Sequence, residues 1–186
     1  GLVLVVVAGG VRGADRVVIN EIHFAPPEKR PLEFIELHNP GTNEVSFFGW
    51  TLEKFAFPPQ ASLAPGGYAV VAKDPAAFAK AFGFAPLGPL PGRLRHQGEK
   101  LTLRDRGGRI ADEVWYGAGF PWPTAAAGGG ASLERMSPWL PGTLAASWRS
   151  SGFPVEGKPR DKRPTPGKVN SVFTSNAPPA FAEVSH

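Results

Sequence analysis

Cysteine is absent from all 186 residues. No disulfide can brace the fold, and no thiolate is at hand to ligate zinc or act as a nucleophile. A domain of this length folds without disulfides, so the absence does not argue for a reducing compartment. It leaves stability to apolar packing. Catalytic signatures are missing as well: no G-x-S-x-G elbow, no G-x-x-x-x-G-K-[ST] phosphate loop and no H-E-x-x-H zinc helix. Gly130-Ala-Ser132 runs into Leu133 and Glu134 and reads as a strand, and a Ser-His-Asp triad assembled over distance has no local support. Net basic charge is confined to one segment. Residues 149–168 hold six basic and two acidic side chains, a surplus equal to the net +4 of the whole chain. The remainder is balanced, which excludes the generally basic surface of a dedicated nucleic-acid binder.

Glycine and proline, by contrast, are plentiful, at 23 and 21 residues, in a chain that is 42% apolar and 19% charged. That balance fits a folded domain, and the length suits one domain better than two. Gly and Pro cluster between short apolar-alternating runs, which is turn chemistry separating strands. Residues 17–24 form a first strand with Val18, Ile22 and Phe24 on one face, ended by Ala25-Pro-Pro27. Residues 32–39 form a second, with Ile35 and Leu37 on one face and Glu36 and His38 on the other. After the Asn39-Pro-Gly-Thr-Asn43 turn, 45–52 is a third strand carrying Trp50 as a core aromatic. The turn Leu63-Ala-Pro-Gly-Gly67 precedes a fourth, 68–72. One short helix follows, capped by Asp74, opened by Pro75 and ended by Gly83, with Phe78 and Phe82 on one face. Residues 98–116 are a hairpin around Arg106-Gly-Gly108, with Leu101 and Leu103 alternating on one arm and Ile110 and Val114 on the other. Residues 131–136 are a last strand, and the chain after Ser137 is extended and anchored by residues such as Trp148. Many short strands with regular turn signals predict an all-β sandwich or barrel.

The run Gly1-Leu-Val-Leu-Val-Val-Val-Ala8, followed by the small residues Gly9, Gly10, Gly13 and Ala14, is too short to span a bilayer. Residues 1–14 read as the remnant of a signal peptide that has lost its basic start, which predicts export; a buried first strand is the alternative. The domain then covers 15–170. Residues 171–186, with Asn176-Ala-Pro-Pro179 before alternating Phe181 and Val184, read as a linker or the start of a following domain.

Val18-Ile-Asn-Glu-Ile22, Glu33-Phe-Ile-Glu-Leu-His-Asn39, Gly49-Trp-Thr-Leu52 and Leu63-Ala-Pro-Gly-Gly-Tyr68 follow one another in an order that resembles the bacterial lamin tail domain. Gly98-Glu-Lys-Leu-Thr-Leu-Arg-Asp105 resembles its hairpin arm. Ser132-Leu-Glu-Arg135, Ser147-Trp148 and Thr165-Pro-Gly167 with Asn170 look like its closing motifs. The likeness covers about residues 17–170. It implies an immunoglobulin-like antiparallel β-sandwich, a module generally regarded as non-catalytic, and a setting in large secreted or surface proteins, some of which carry enzymatic neighbours. It supplies no catalytic residue to transfer. The pair Phe47-Phe48 departs from the more polar residues often found there, so an exposed Phe would mark a contact surface.

Three constellations remain. Glu21, His23, Glu36 and His38 would share one face of two paired strands; imidazole and carboxylate ligands suit a divalent ion, but a solvated polar face opposite the core is the preferred reading, and no metal site is assigned. Trp115, Tyr116, Trp122 and Trp139 could form a platform for sugar rings or bases, with Phe120-Pro-Trp-Pro123 holding one ring; covering the open end of the core is the preferred reading. The basic stretch 149–168 could contact phosphates, but acidic residues interrupt it, and a solvated loop is preferred. The sequence therefore reads as a non-enzymatic extracellular interaction or spacer domain of a larger protein, with no cofactor. Its partners would be an unknown protein or surface polymer and neighbouring domains of the same chain, with no membrane span. The alternative is a carbohydrate- or nucleic-acid-binding module using Trp115, Trp122, Arg160, Lys162 and Arg163, with nucleic acid the less favoured ligand.

Overall fold

A computed structural model describes residues 16–27, 31–152 and 163–175. Eleven short strands are described: β1 (Val18–His23), β2 (Phe34–His38), β3 (Val45–Ser46), β4 (Thr51–Leu52), β5 (Phe55–Ala56), β6 (Ser62–Leu63), β7 (Tyr68–Ala72), β8 (Gly98–Arg104), β9 (Ile110–Gly117), β10 (Leu133–Arg135) and β11 (Trp148–Ser150). One sheet has the order β11-β10-β1-β2-β7 and a second β5-β4-β8-β9, while β3 and β6 form a small ribbon; all the strand pairs are antiparallel. The apolar residues of the two main sheets meet in one core: Ile19, Ile22, Ile35, Leu37, Val71, Leu133 and Trp148 from the first, Leu52, Leu101, Leu103, Val114 and Tyr116 from the second. This is an immunoglobulin-like β-sandwich.

Local chemistry accounts for much of this layout. The helix α1 (Pro75–Phe82) starts where the Asp74 carboxylate accepts the Ala77 N–H at 3.0 Å and stops at Gly83. Its Phe78 and Phe82 rings close over Phe34, Val70 and Ala72, so α1 covers the outer face of β2 and β7 rather than the sandwich core. Asn39 gathers three turns: its amide donates to the carbonyls of Asn43, Leu63 and Ala64 while its carbonyl accepts from Gly41 N–H. Trp148 is fully buried, and its indole N–H donates to the Gly142 carbonyl at 2.9 Å, which makes it the anchor the sequence suggested.

Three expectations are corrected. The predicted third strand is two strands in different sheets, because the chain turns at Phe47–Gly49, where Gly49 takes a left-handed φ of 75° and packs on Arg106. In β1 the register with β2 skips Asn20, so this residue bulges out and the phase of the strand flips. The core then receives Val17, Ile19, Ile22 and Phe24, and Val18 does not join that face. A second shift between Leu103 and Arg104 puts Arg104 opposite Ile110, and Ile110 lies 49% exposed instead of alternating inward with Val114. The strand β11, absent from the sequence reading, pairs with β10 and widens the first sheet.

Candidate functional site

The bulge at Asn20 lies beside the most unusual chemistry in the molecule. On the face of the first sheet turned away from the core, Glu21 stands directly opposite Glu36 on one neighbouring strand and Glu134 on the other. Three carboxyl groups thus form a row across β2, β1 and β10, and all three residues are fully enclosed. The polar face was expected to be solvated. Instead a strap, residues 163–173, lies over it, and every carboxyl group receives donors from that strap.

The pairing is specific. Glu21 Oε1 accepts from Thr165 N–H at 2.9 Å and from the Ser132 hydroxyl at 2.5 Å. Glu36 Oε2 accepts from Gly167 N–H at 2.5 Å, and its Oε1 accepts from the Asn20 amide at 2.9 Å. Glu134 Oε1 accepts from the Thr165 hydroxyl at 2.8 Å, while its Oε2 takes the Ser171 hydroxyl at 2.6 Å and Val172 N–H at 3.2 Å. Asn170 closes the strap onto the bulge: its carbonyl accepts from the Asn20 amide at 3.0 Å, and its own amide donates to the carbonyls of Asn20 and Arg135. Gly167 adopts a φ of 78°, and a Cβ there would fall 3.1 Å from the Phe84 ring, so this close approach needs glycine. The strap continues past 170: Val172 packs with Met136 and Leu140, and Thr174 N–H reaches the Met136 carbonyl.

Burial dominates the electrostatics. It pushes Glu36 up to about 8, against the hydrogen bonds from Gly167 and Asn20 that favour the charged form. It pushes Glu21 well above the usual carboxylate range, helped by the neighbouring Glu36 and Glu134. Glu134 is raised for the same first reason, with its donors opposing. Burial therefore favours the protonated form across the row over three negative charges, which a dry site could not bear. Glu21 Oε2 is buried without a hydrogen-bond partner. His23, on the same strand, is pushed down to about 4 by burial; its Nδ1 meets the Leu32 carbonyl at 3.0 Å, and its Nε2 has no partner.

A second buried polar cluster ties the sheets together. The Arg135 guanidinium pairs with Asp112 at 2.7 Å and also donates to the carbonyls of Ile19 and Leu140. Asp112 in turn accepts from Ile19 N–H at 2.8 Å. This ion pair links β9 to β1 and β10.

The row has the residue types of an acid–base site but not its access. Ser132 donates to a carboxyl group, yet neither group is open to solvent. Among the described residues, no three His, Asp or Glu side chains are arranged to hold a metal ion. Of the grouped residues Glu21, His23, Glu36 and His38, the first and third meet in the row. His38 lies two residues along β2 from Glu36, with Nδ1 on the Gly67 carbonyl at 3.0 Å and its ring stacked on Tyr68 at 4.5 Å. The third member, Glu134, was not in the predicted group. Its signal was present in the sequence: Asn-Glu-Ile, Ile-Glu-Leu and Leu-Glu-Arg each place a Glu between strand positions.

The other candidate residues do not assemble. Trp115 is 60% exposed on β9, with Lys100 Nζ 5.3 Å from its ring centre. Trp122 is half-buried against the core, its ring 6.3 Å from Trp148 and its edge against Gly117. Trp139 has Arg16 over its ring at 5.2 Å, and Tyr116 belongs to the core with its hydroxyl on the Arg95 carbonyl and Glu99. None of the aromatic contacts among the described residues joins Trp115 to Trp122 or Trp139 into a platform. Phe48 is exposed beneath the Arg106 guanidinium, 4.9 Å from its ring centre. Arg163 is exposed at the start of the strap, whereas Arg160 and Lys162 lie outside the described residues.

Fold and site together define an immunoglobulin-like sandwich whose acidic outer face is sealed by its own chain. The sequence model of one family, Lamin Tail Domain, matches residues 11–118, and the chain belongs to that family. It is a family of immunoglobulin-like domains of the protein-interaction type, not known as enzymatic. The strands β10 and β11, which complete the first sheet, and the strap lie beyond the matched residues. No curated protein and no solved structure matches the chain. No helix among the described residues is long and apolar enough to cross a membrane.

Proposed function

We propose that this chain is a non-catalytic interaction or spacer domain of a larger exported, multidomain protein. One observation carries the reading: the groups best suited to chemistry are enclosed and bind the domain's own chain rather than a substrate, since Glu21, Glu36 and Glu134 hold the strap and Ser132 donates to Glu21. Export rests on the apolar run at residues 2–8 and the small residues after it.

The test of the first part is an activity screen of the purified chain against ester, glycoside, phosphodiester and peptide substrates. The expected result is no turnover above buffer. Turnover that disappears in Ser132→Ala, with the melting curve unchanged, would overturn it. Export is tested by fractionating cells that make the full-length protein; retention in the cytosol with an uncleaved N-terminus would sink that half of the reading.

A further inference from the structure

The outer edge of β7 bears on how an interaction domain of this kind could bind. Lys73 N–H bonds to the Glu33 carbonyl and Asn39 N–H to the Gly67 carbonyl, so odd-numbered residues of β7 exchange their hydrogen bonds with β2. Even-numbered residues therefore turn their backbone groups to the sheet's edge. The chain after α1 covers part of that edge: Leu87 N–H bonds to the Val70 carbonyl, Ala72 N–H to the Leu87 carbonyl, and Leu90 N–H to the Ala72 carbonyl. At Tyr68 the covering stops, and no backbone partner among the described residues meets its outward N–H or carbonyl.

Tyr68 also lines a hollow of about 730 Å³ between the end of α1 and the strap. Its apolar walls are Phe82, Phe84 and Pro166, its cations are Arg163 and Lys168, and no acidic residue lines it. The size is that of an ordinary ligand site, with apolar walls and a few placed polar groups. Burial holds Glu36, the carboxyl group beneath Gly167, up at about 8, so at neutral pH it adds little charge to offset the cations above it.

We infer that this hollow binds an extended acidic peptide from a partner protein, which adds to the edge at Tyr68, rests an apolar side chain on Phe82 and Phe84, and turns its carboxylates to Lys168 and Arg163. Edge addition supplies main-chain hydrogen bonds, and the flanking walls supply selectivity. The inference rests on the interaction-domain reading and names its surface. Arg163 has a further contact of its own, so Lys168 carries the test.

The probe is a fluorescein-labelled hexapeptide of alternating Glu and Val, compared with its Lys–Val counterpart and with a version N-methylated on alternate residues. Binding is followed by anisotropy, and its location by amide shifts in the nitrogen-labelled 186-residue chain. The acidic peptide should bind at least tenfold more tightly than the other two, should weaken at least fivefold in Lys168→Glu, and should move the amides of Gly67, Tyr68 and Phe84. Lys168 is exposed, so the variant's melting temperature serves as the folding control. Equal binding of the acidic and basic peptides, no effect of Lys168→Glu, or no binding at millimolar peptide would overturn the inference. Shifts confined to another face would also overturn it, while leaving the interaction-domain reading intact.

Discussion

Glu36 keeps its proton up to a pH of about 8 in the folded protein, against about 4.3 for an unperturbed glutamate. Between those values the folded state binds more protons than the unfolded one, so stability falls as pH rises. His23 acts in the opposite sense. Its folded value of about 4 lies below the ordinary histidine value near 6.5, so the unfolded state binds more protons between the two and stability rises there. His38, also lowered by burial, adds to that rise. The histidine slope is half spent at about pH 6.5 and fades above about pH 7, so between pH 6.5 and 8 the loss from Glu36 takes over. One pH unit of full proton difference corresponds to about 1.4 kcal/mol. Allowing for the partial ionisation of Glu36 near the top of the window and the remaining histidine gain near its bottom, the net loss is about 1 kcal/mol, and Glu21 and Glu134 shift in the same direction as Glu36. For a domain of this size that lowers Tm by roughly 2–4 °C. Calorimetry at pH 6.5, 7.2 and 8, on the natural chain and on Glu36→Gln, measures it. The variant lacks that titration and should show a shallower slope, although it starts less stable because its amide nitrogen must face either the Asn20 amide or Gly167 N–H. A Tm that stays flat or rises across the window, or an equal slope in the variant, would refute the reasoning.

Other substitutions probe the remaining contacts. Asn170→Ala removes three buried hydrogen bonds of the strap, two to Asn20 at the bulge and one to the Arg135 carbonyl, and should destabilise by about 2–4 kcal/mol in urea titration. Asp112→Ala leaves the Arg135 guanidinium buried without its counter-ion, and a loss of about 3–5 kcal/mol is expected by the same measurement. Trp115→Ala removes an exposed ring beside Lys100 and should change stability by no more than about 0.5 kcal/mol.

What the sequence made legible was local. The helix over 75–82 is readable because Asp74, Pro75 and Gly83 each act on the turn of backbone next to them. The fourth strand, 68–72, and the hairpin turn at Arg106-Gly-Gly108 follow from alternation and turn residues in the same way. The bulge at Asn20 is different: a single skipped partner moves Val18 off the core face, and alternation within one strand carries no record of its neighbour's register. The break at Gly49 was hidden by Val45, Phe47 and Trp50, three buried residues that look like one strand although the ends of their segment pair in different sheets. For the candidate site, the reading found two of the three carboxyl groups but expected them in water. What covers them arrives from far along the chain: Gly167 meets Glu36 across 131 residues and Asn170 meets Asn20 across 150. Thr165-Pro-Gly167 and Asn170 stood out as motifs, but their role lies in donors aimed at partners that only the folded sheet brings beneath them.

The account depends on the strap being part of the fold, held by the carboxyl row and keeping it dry. Native-state hydrogen exchange reads this directly at the amides of Thr165, Gly167 and Val172, which donate to Glu21, Glu36 and Glu134. They should exchange as slowly as the central strand β1, opening only with global unfolding. Exchange at the rate of a solvated loop, while β1 stays protected, would contradict the account.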